Sequence, residues 1–163
     1  MKFFILSITL LVWVGMGVWF YGQAATTADV TATVTVTTLS VAVSDGTVTY
    51  GTLATSATQD TIALGSADSQ VVENIGNTAA DINIRGATTD AWDLTLTIGT
   101  EEFRHRFASD DAGVAWATLS DAYTLLVGSL ASDATQSLEL EIQVPSTTTA
   151  TAEQNPDITV QAN

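Results

Sequence analysis

The 163-residue chain has no cysteine, only 2 prolines and a single lysine, Lys2. Without cysteine there is no disulfide framework, thiolate zinc site, cysteine nucleophile or lipid-modified cysteine. Basic residues are scarce: Lys and Arg total 4 against 18 Asp and Glu, a formal net charge of −14. Neutralising a phosphate backbone needs clustered Lys and Arg, so nucleic-acid binding is excluded. Docking on anionic lipid headgroups is disfavoured for the same reason. The lysine gap also rules out lysine–asparagine isopeptide cross-links and lysine-linked sortase polymers beyond residue 2. Catalytic signatures are missing too: no Gly-x-Ser-x-Gly, P-loop or His-Glu-x-x-His is present. The chain is therefore expected not to be an enzyme. What fills the polar set is threonine, 28 residues of it, while charged residues make up only 13%.

Met1-Lys2 precedes an apolar run from Phe3 to Tyr21, and small residues follow at Gly22 and Ala24. A basic start, an apolar stretch and small residues three and one before a cleavage point make a secretory signal. Residues 1–24 are therefore predicted to be a signal peptide cut after Ala24. The run approaches the ~20 residues that cross a bilayer, so a retained membrane anchor is the alternative. Either places the remainder outside the cytoplasm, secreted or at the cell surface. Beyond residue 24, three arginines face 18 acids, a net charge of −15. The C-terminal residues carry no LPxTG-type wall-sorting signal.

Residues 25–163 read as one domain of about nine or ten short strands, because period-two alternation recurs between turn signals. Val30 to Thr37 puts Val and Ala on one face and Thr on the other. Leu39, Val41 and Val43 extend it to Asp45-Gly46, a type I′ hairpin signal, with Val48–Tyr50 returning. Further strands are predicted at Thr61–Leu64, Gln70–Glu73, Ala80–Arg85, Trp92–Ile98, Phe103–Phe107, Leu138–Val144 and Ile158–Ala162; Ala122–Val127 is ambiguous. Asn74-Ile75-Gly76-Asn77 reads as a turn. The expected fold is an all-β antiparallel sandwich, immunoglobulin-like with Greek-key connections. Its predicted core is Trp92, Leu94, Leu96, Phe103, Phe107, Trp116, Leu138, Leu140 and Ile142. Threonine suits the solvated sheet faces, being polar yet β-branched.

Few residues carry candidate chemistry. His105, the sole histidine, alternates with Phe103 and Phe107, so it reads as a core residue rather than a general base. Arg104 and Arg106 point the other way. They are expected to pair with cross-strand carboxylates or to offer a docking spot for an acidic neighbour. Asp110-Asp111-Ala112-Gly113 is a weak Ca²⁺ candidate, since hard cations take clustered carboxylates, though a solvated hairpin turn is the preferred reading. No other cofactor is expected. Val30, Val34 and Val36 lie on a nearly uncharged strand with no proline, which is a poor free edge. That strand must pair with its own sheet or be donated to a neighbour's. Exposed Tyr50, Trp116 or Tyr123 could instead recognise cell-wall glycan, although core packing is the commoner fate of such rings.

Two stretches resemble known families. Val71-Val72-Glu73-Asn74-Ile75-Gly76-Asn77, followed by Asp81-Ile82-Asn83-Ile84, resembles a segment of bacterial immunoglobulin-like surface modules. Trp92-Asp93-Leu94 resembles the first Trp-x-Leu motif of WxL cell-wall-binding proteins, whose second motif is replaced here by Leu138-Glu139-Leu140. The whole is similar to small secreted threonine-rich β-sandwich proteins of bacteria. The resemblance implies a cell-surface structural or interaction protein. Self-association through the N-terminal strand or binding of cell-wall carbohydrate are the partners to expect.

Overall fold

The computed structural model of the chain describes residues 30–64, 68–109 and 115–163. The chain divides into two units, Met1–Thr35 and Val36–Asn163. Among the described residues the second unit carries ten strands and one turn of helix. These are β1 (Val41–Val43), β2 (Thr58–Asp60), α1 (Thr61–Leu64), β3 (Gln70–Asn74), β4 (Ala80–Gly86) and β5 (Asp93–Leu94). They continue with β6 (Glu102–Ala108), β7 (Ala117–Thr118), β8 (Thr124–Leu130), β9 (Thr135–Gln143) and β10 (Ile158–Ala162). No helix among the described residues is long and apolar enough to cross a membrane. The predicted signal peptide lies outside the described residues.

The strands form two sheets. The larger runs β1-β3-β9-β6-β5, with β2 also paired to β9 and β7 to β6; the smaller runs β10-β4-β8. Among the described strand pairings only the short β5–β6 one is parallel, and an isolated Thr100–Thr147 bridge is parallel as well. Ile82 and Ile84 of β4 and Leu126 and Leu130 of β8 pack against Val72, Phe107, Leu138 and Leu140 of the larger sheet. The expected all-β, two-layer architecture is thus present. Alternation placed much of this core correctly: Phe103, Phe107, Leu138, Leu140 and Ile142 are buried.

Several expectations need correction. Val30 to Ser40 joins no ladder among the described residues. The Asp45-Gly46 hairpin is absent too, since β1 pairs with β3. A type I′ turn needs positive φ at both central residues, and only Gly46 has it, at 72°. The buried Gln70 side chain holds this bend instead, accepting from Gly46 N–H at 2.8 Å and donating to Thr47 O at 3.1 Å. Thr61–Leu64 is helical, because Asp60 Oδ1 accepts the Ala63 N–H at 2.7 Å as a helix cap. The Trp92–Ile98 strand shrinks to Asp93–Leu94, leaving Leu96 68% exposed. Trp92, Leu94 and Trp116 are half-buried rather than core.

The turn after β3 explains why Asn, Gly and Asn stand there. Asn74 is fully buried, and its Nδ2 donates to Thr78 O and Leu130 O, both at 2.8 Å. Its Oδ1 accepts from Gly76 N–H at 3.0 Å. A side chain on Gly76 would sit 2.4 Å from Thr38 O, so only glycine fits. Asn77 prolongs the β1–β3 pairing: its N–H donates to Thr38 O at 3.1 Å and its Oδ1 accepts from Thr38 N–H at 2.7 Å. Its Nδ2 reaches Val36 O at 2.6 Å. Asn77→Ala should therefore cost about 1 kcal/mol, the net worth of exposed hydrogen bonds. Hydrogen exchange at Thr38 should accelerate in that variant; unchanged protection there would refute the clip.

Candidate functional site

The described strands differ in what they leave unpaired at the sheet edges. β8 pairs with β4 through two register shifts, at Ala80/Ile82 and Ile82/Asn83. Its Ser129 sits at a φ of 52°. Bulges of this kind twist an edge away from further pairing. β10 is the opposite case. Its five residues pair with β4 in unbroken register, from Ile158↔Gly86 to Ala162↔Ile82. Asp81 and Asn163 exchange both backbone bonds, at 2.9 and 3.1 Å. In an antiparallel ladder such pairs alternate with non-bonded ones. Ile158, Val160 and Ala162 are therefore the non-bonded positions, and their N–H and C=O groups point away from β4. On that outer side β10 has no ladder partner among the described residues.

The same three residues turn apolar side chains inward, packed against the core. Beside them a cleft of about 940 Å³ opens between the sheets. Ile158 and Val160 line one wall, and Leu138, Leu140 and Ile142 of β9 another. At its floor, the Tyr50 hydroxyl and His105 Nε2 share a hydrogen bond of 2.9 Å, with the rings edge to face. His105 is 2% exposed. Burial pulls its pKa from 6.5 down to about 4, so the ring is neutral near pH 7. Burial chiefly, then the Glu141, Asp60 and Asp68 carboxylates, raises the Tyr50 hydroxyl well above its ordinary value. A neutral imidazole bonded to a neutral phenol braces the cleft floor. No carboxylate orients this ring among the described residues, as a general base would need.

The outer face of β9 is covered as well: Glu139 and Glu141 are 3% and 6% exposed. β2 and β3 flank β9 in line, and α1 fills the gap between them. There Thr61, fully buried, accepts the Leu140 N–H at 3.0 Å and donates to the Glu139 carboxylate. Ser69 donates to the same carboxylate at 3.1 Å. Arg106 pairs with Glu141, its cross-strand neighbour, with Nε 2.6 Å from Oε1. The pairing expected of the arginines is thus present at Arg106, whose guanidinium also lies 5.8 Å from the Trp116 ring centre. Arg104 Nε is buried without a hydrogen-bond partner among the described residues.

The structure does not gather the sequence-derived candidates into one site. Val30, Val34 and Val36 are 91%, 87% and 71% exposed. Arg104 and Arg106 belong to the outer face of the larger sheet. Asp110 and Asp111 lie outside the described residues; among the described ones no cluster of three metal-ligating side chains occurs. Of the candidate glycan-binding rings, Tyr50 is engaged with His105 and Trp116 with Arg106. Tyr123, 42% exposed, has Arg85 4.9 Å above its ring. Sequence reasoning missed the β10 edge and its cleft. The alternation of Ile158–Ala162 marks a strand, but edge status depends on partners far along the chain. No protein-family model, curated protein or solved structure matches the chain.

Proposed function

We propose that this chain is a non-enzymatic extracellular structural or interaction protein, a cell-surface, matrix or filament subunit that joins its neighbours by β-strand addition. The donated strand is Val30–Thr37. The observation that carries this reading is the state of that segment: it alternates Val and Thr yet pairs with no strand among the described residues, and its valines stand exposed. Such a strand gains main-chain bonds and pockets for alternate side chains by adding to another sheet. Fully burying one valine is worth about 1.5–3 kcal/mol, so three of them supply a substantial drive.

The scaffold under this reading is an immunoglobulin-like Greek key. In that fold one sheet is ordered A-B-E-D and the other C-F-G. The order β1-β3-β9-β6 corresponds to A-B-E-D in chain order, and β4 with β10 corresponds to C and F. The apolar N-terminal segment supports export. The test compares the chain with and without residues 25–37 by size-exclusion chromatography and negative-stain microscopy. Ordered assemblies from the first and dispersed folded particles from the second are expected. A shortened protein that stays folded and still assembles would sink strand donation.

A further inference from the structure

We infer that the open edge of β10, with the cleft beside it, is the acceptor for the Val30–Thr37 strand of a second copy of this chain. The inference rests on the strand-addition reading above and names the surface that completes it.

Three observations converge on this edge. The first is positional. With β4 and β10 as strands C and F, the place beyond β10 is that of strand G, and no described strand occupies it. The second is chemical. Ile158, Val160 and Ala162 present outward backbone groups and inward apolar side chains at once. An incoming strand that alternates Val and Thr would satisfy both: its main chain bonds β10, its valines enter the cleft and its threonines face water. Eight extended residues span about 26 Å, enough to cover the five of β10. The third is electrostatic. Two copies at −15 each repel one another, so contact requires surfaces free of acid. Residues 30–38 carry no charge, and neither does Ile158–Ala162; the acids of the cleft lining, Glu153 and Asp157, precede β10. Open edges in monomeric proteins are usually guarded by lysine, proline or a bulge; β8 has its bulges, while β10 has none of these within its length. A second copy is the occupant because Val36, the valine of the segment that belongs to the same unit as the cleft, is 71% exposed and its carbonyl is held by Asn77 at the turn after β3.

The test uses the whole chain. Val160→Pro removes an N–H that points away from β4, so the β4 ladder stays whole while strand addition is blocked. The variant should keep the parent's far-ultraviolet spectrum and raise the concentration needed for assembly at least about tenfold. Independently, single-cysteine variants are mixed under oxidising conditions; the native chain has no cysteine, so each disulfide reports an engineered contact. Thr33→Cys should cross-link to Thr159→Cys or Gln161→Cys of another copy, and not to Thr124→Cys on β8. Should Val160→Pro misfold, the cross-links decide alone. A folded Val160→Pro that assembles like the parent, or cross-linking at Thr124, would overturn the β10 acceptor while leaving strand addition standing. A Thr33→Cys/Gln161→Cys double variant that closes its disulfide within one chain, independent of concentration, would overturn the second copy. A parent chain that never assembles sinks the reading beneath.

Discussion

Acidification from pH 6.5 to pH 4 should cost this fold up to about 3 kcal/mol through His105 alone, at about 1.4 kcal/mol for each unit between the two pKa values. In the folded chain the imidazole is buried against Tyr50 and stays neutral down to about pH 4. In the unfolded chain it takes up a proton below its ordinary 6.5. Below pH 6.5 the unfolded state binds more protons, so stability falls with pH and levels off once the folded ring also protonates. His105→Gln, which keeps a partner for the Tyr50 hydroxyl, should lose this increment. Urea unfolding of both proteins at pH 7, 5.5 and 4 isolates it, because the carboxylates common to both cancel in the difference. Parallel pH profiles would show that His105 is not the group responsible.

Thr61→Val is the second large effect, expected to destabilise by about 2–4 kcal/mol, since it strands buried polar groups rather than removing bulk. Valine copies the shape of threonine but neither accepts the Leu140 N–H nor donates to Glu139. Both groups are buried at the point where α1 replaces a paired strand. Thr61→Ser keeps the hydroxyl and should recover most of the loss, whereas a Thr61→Val protein as stable as the parent would remove the hydroxyl from the account. Thermal or urea unfolding of the two variants reads the difference.

These two sites also mark how far the sequence alone reaches. His105 was legible as a core residue, because Phe103-Arg104-His105-Arg106-Phe107 alternates and the strand has one dry face. β3, β4, β9 and β10 were legible for the same reason. Thr61 was not, because β-branched Thr-Ile reads as strand until the Asp60 cap is considered. Glu139 and Glu141 were not either. Alternation separates two faces of a strand but does not say whether the second is also covered, and here α1, Ser69 and Arg106 cover it. Val30–Thr37 exposes the same gap: its pattern calls for a partner without saying where one stands. Leu96 fails because β5 ends at Leu94: the alternation that turns Leu94 toward the core is no longer enforced two residues on, and Leu96 is exposed. The open side of β10 is the extreme case, since it is defined by which distant strands pair with β4.

If copies join as proposed, the regular edge of β10, beside a bulged β8, is what each copy would receive with, and Val30–Thr37 is what it would offer. Contacts between unlike patches do not terminate in a symmetric pair; they propagate unless the rotation closes a ring. A row of such molecules would have polarity, ending in one copy whose β10 edge is unfilled and another whose Val/Thr strand is undonated. A copy able to donate but not receive would then act as a chain terminator, stopping growth at trace proportions.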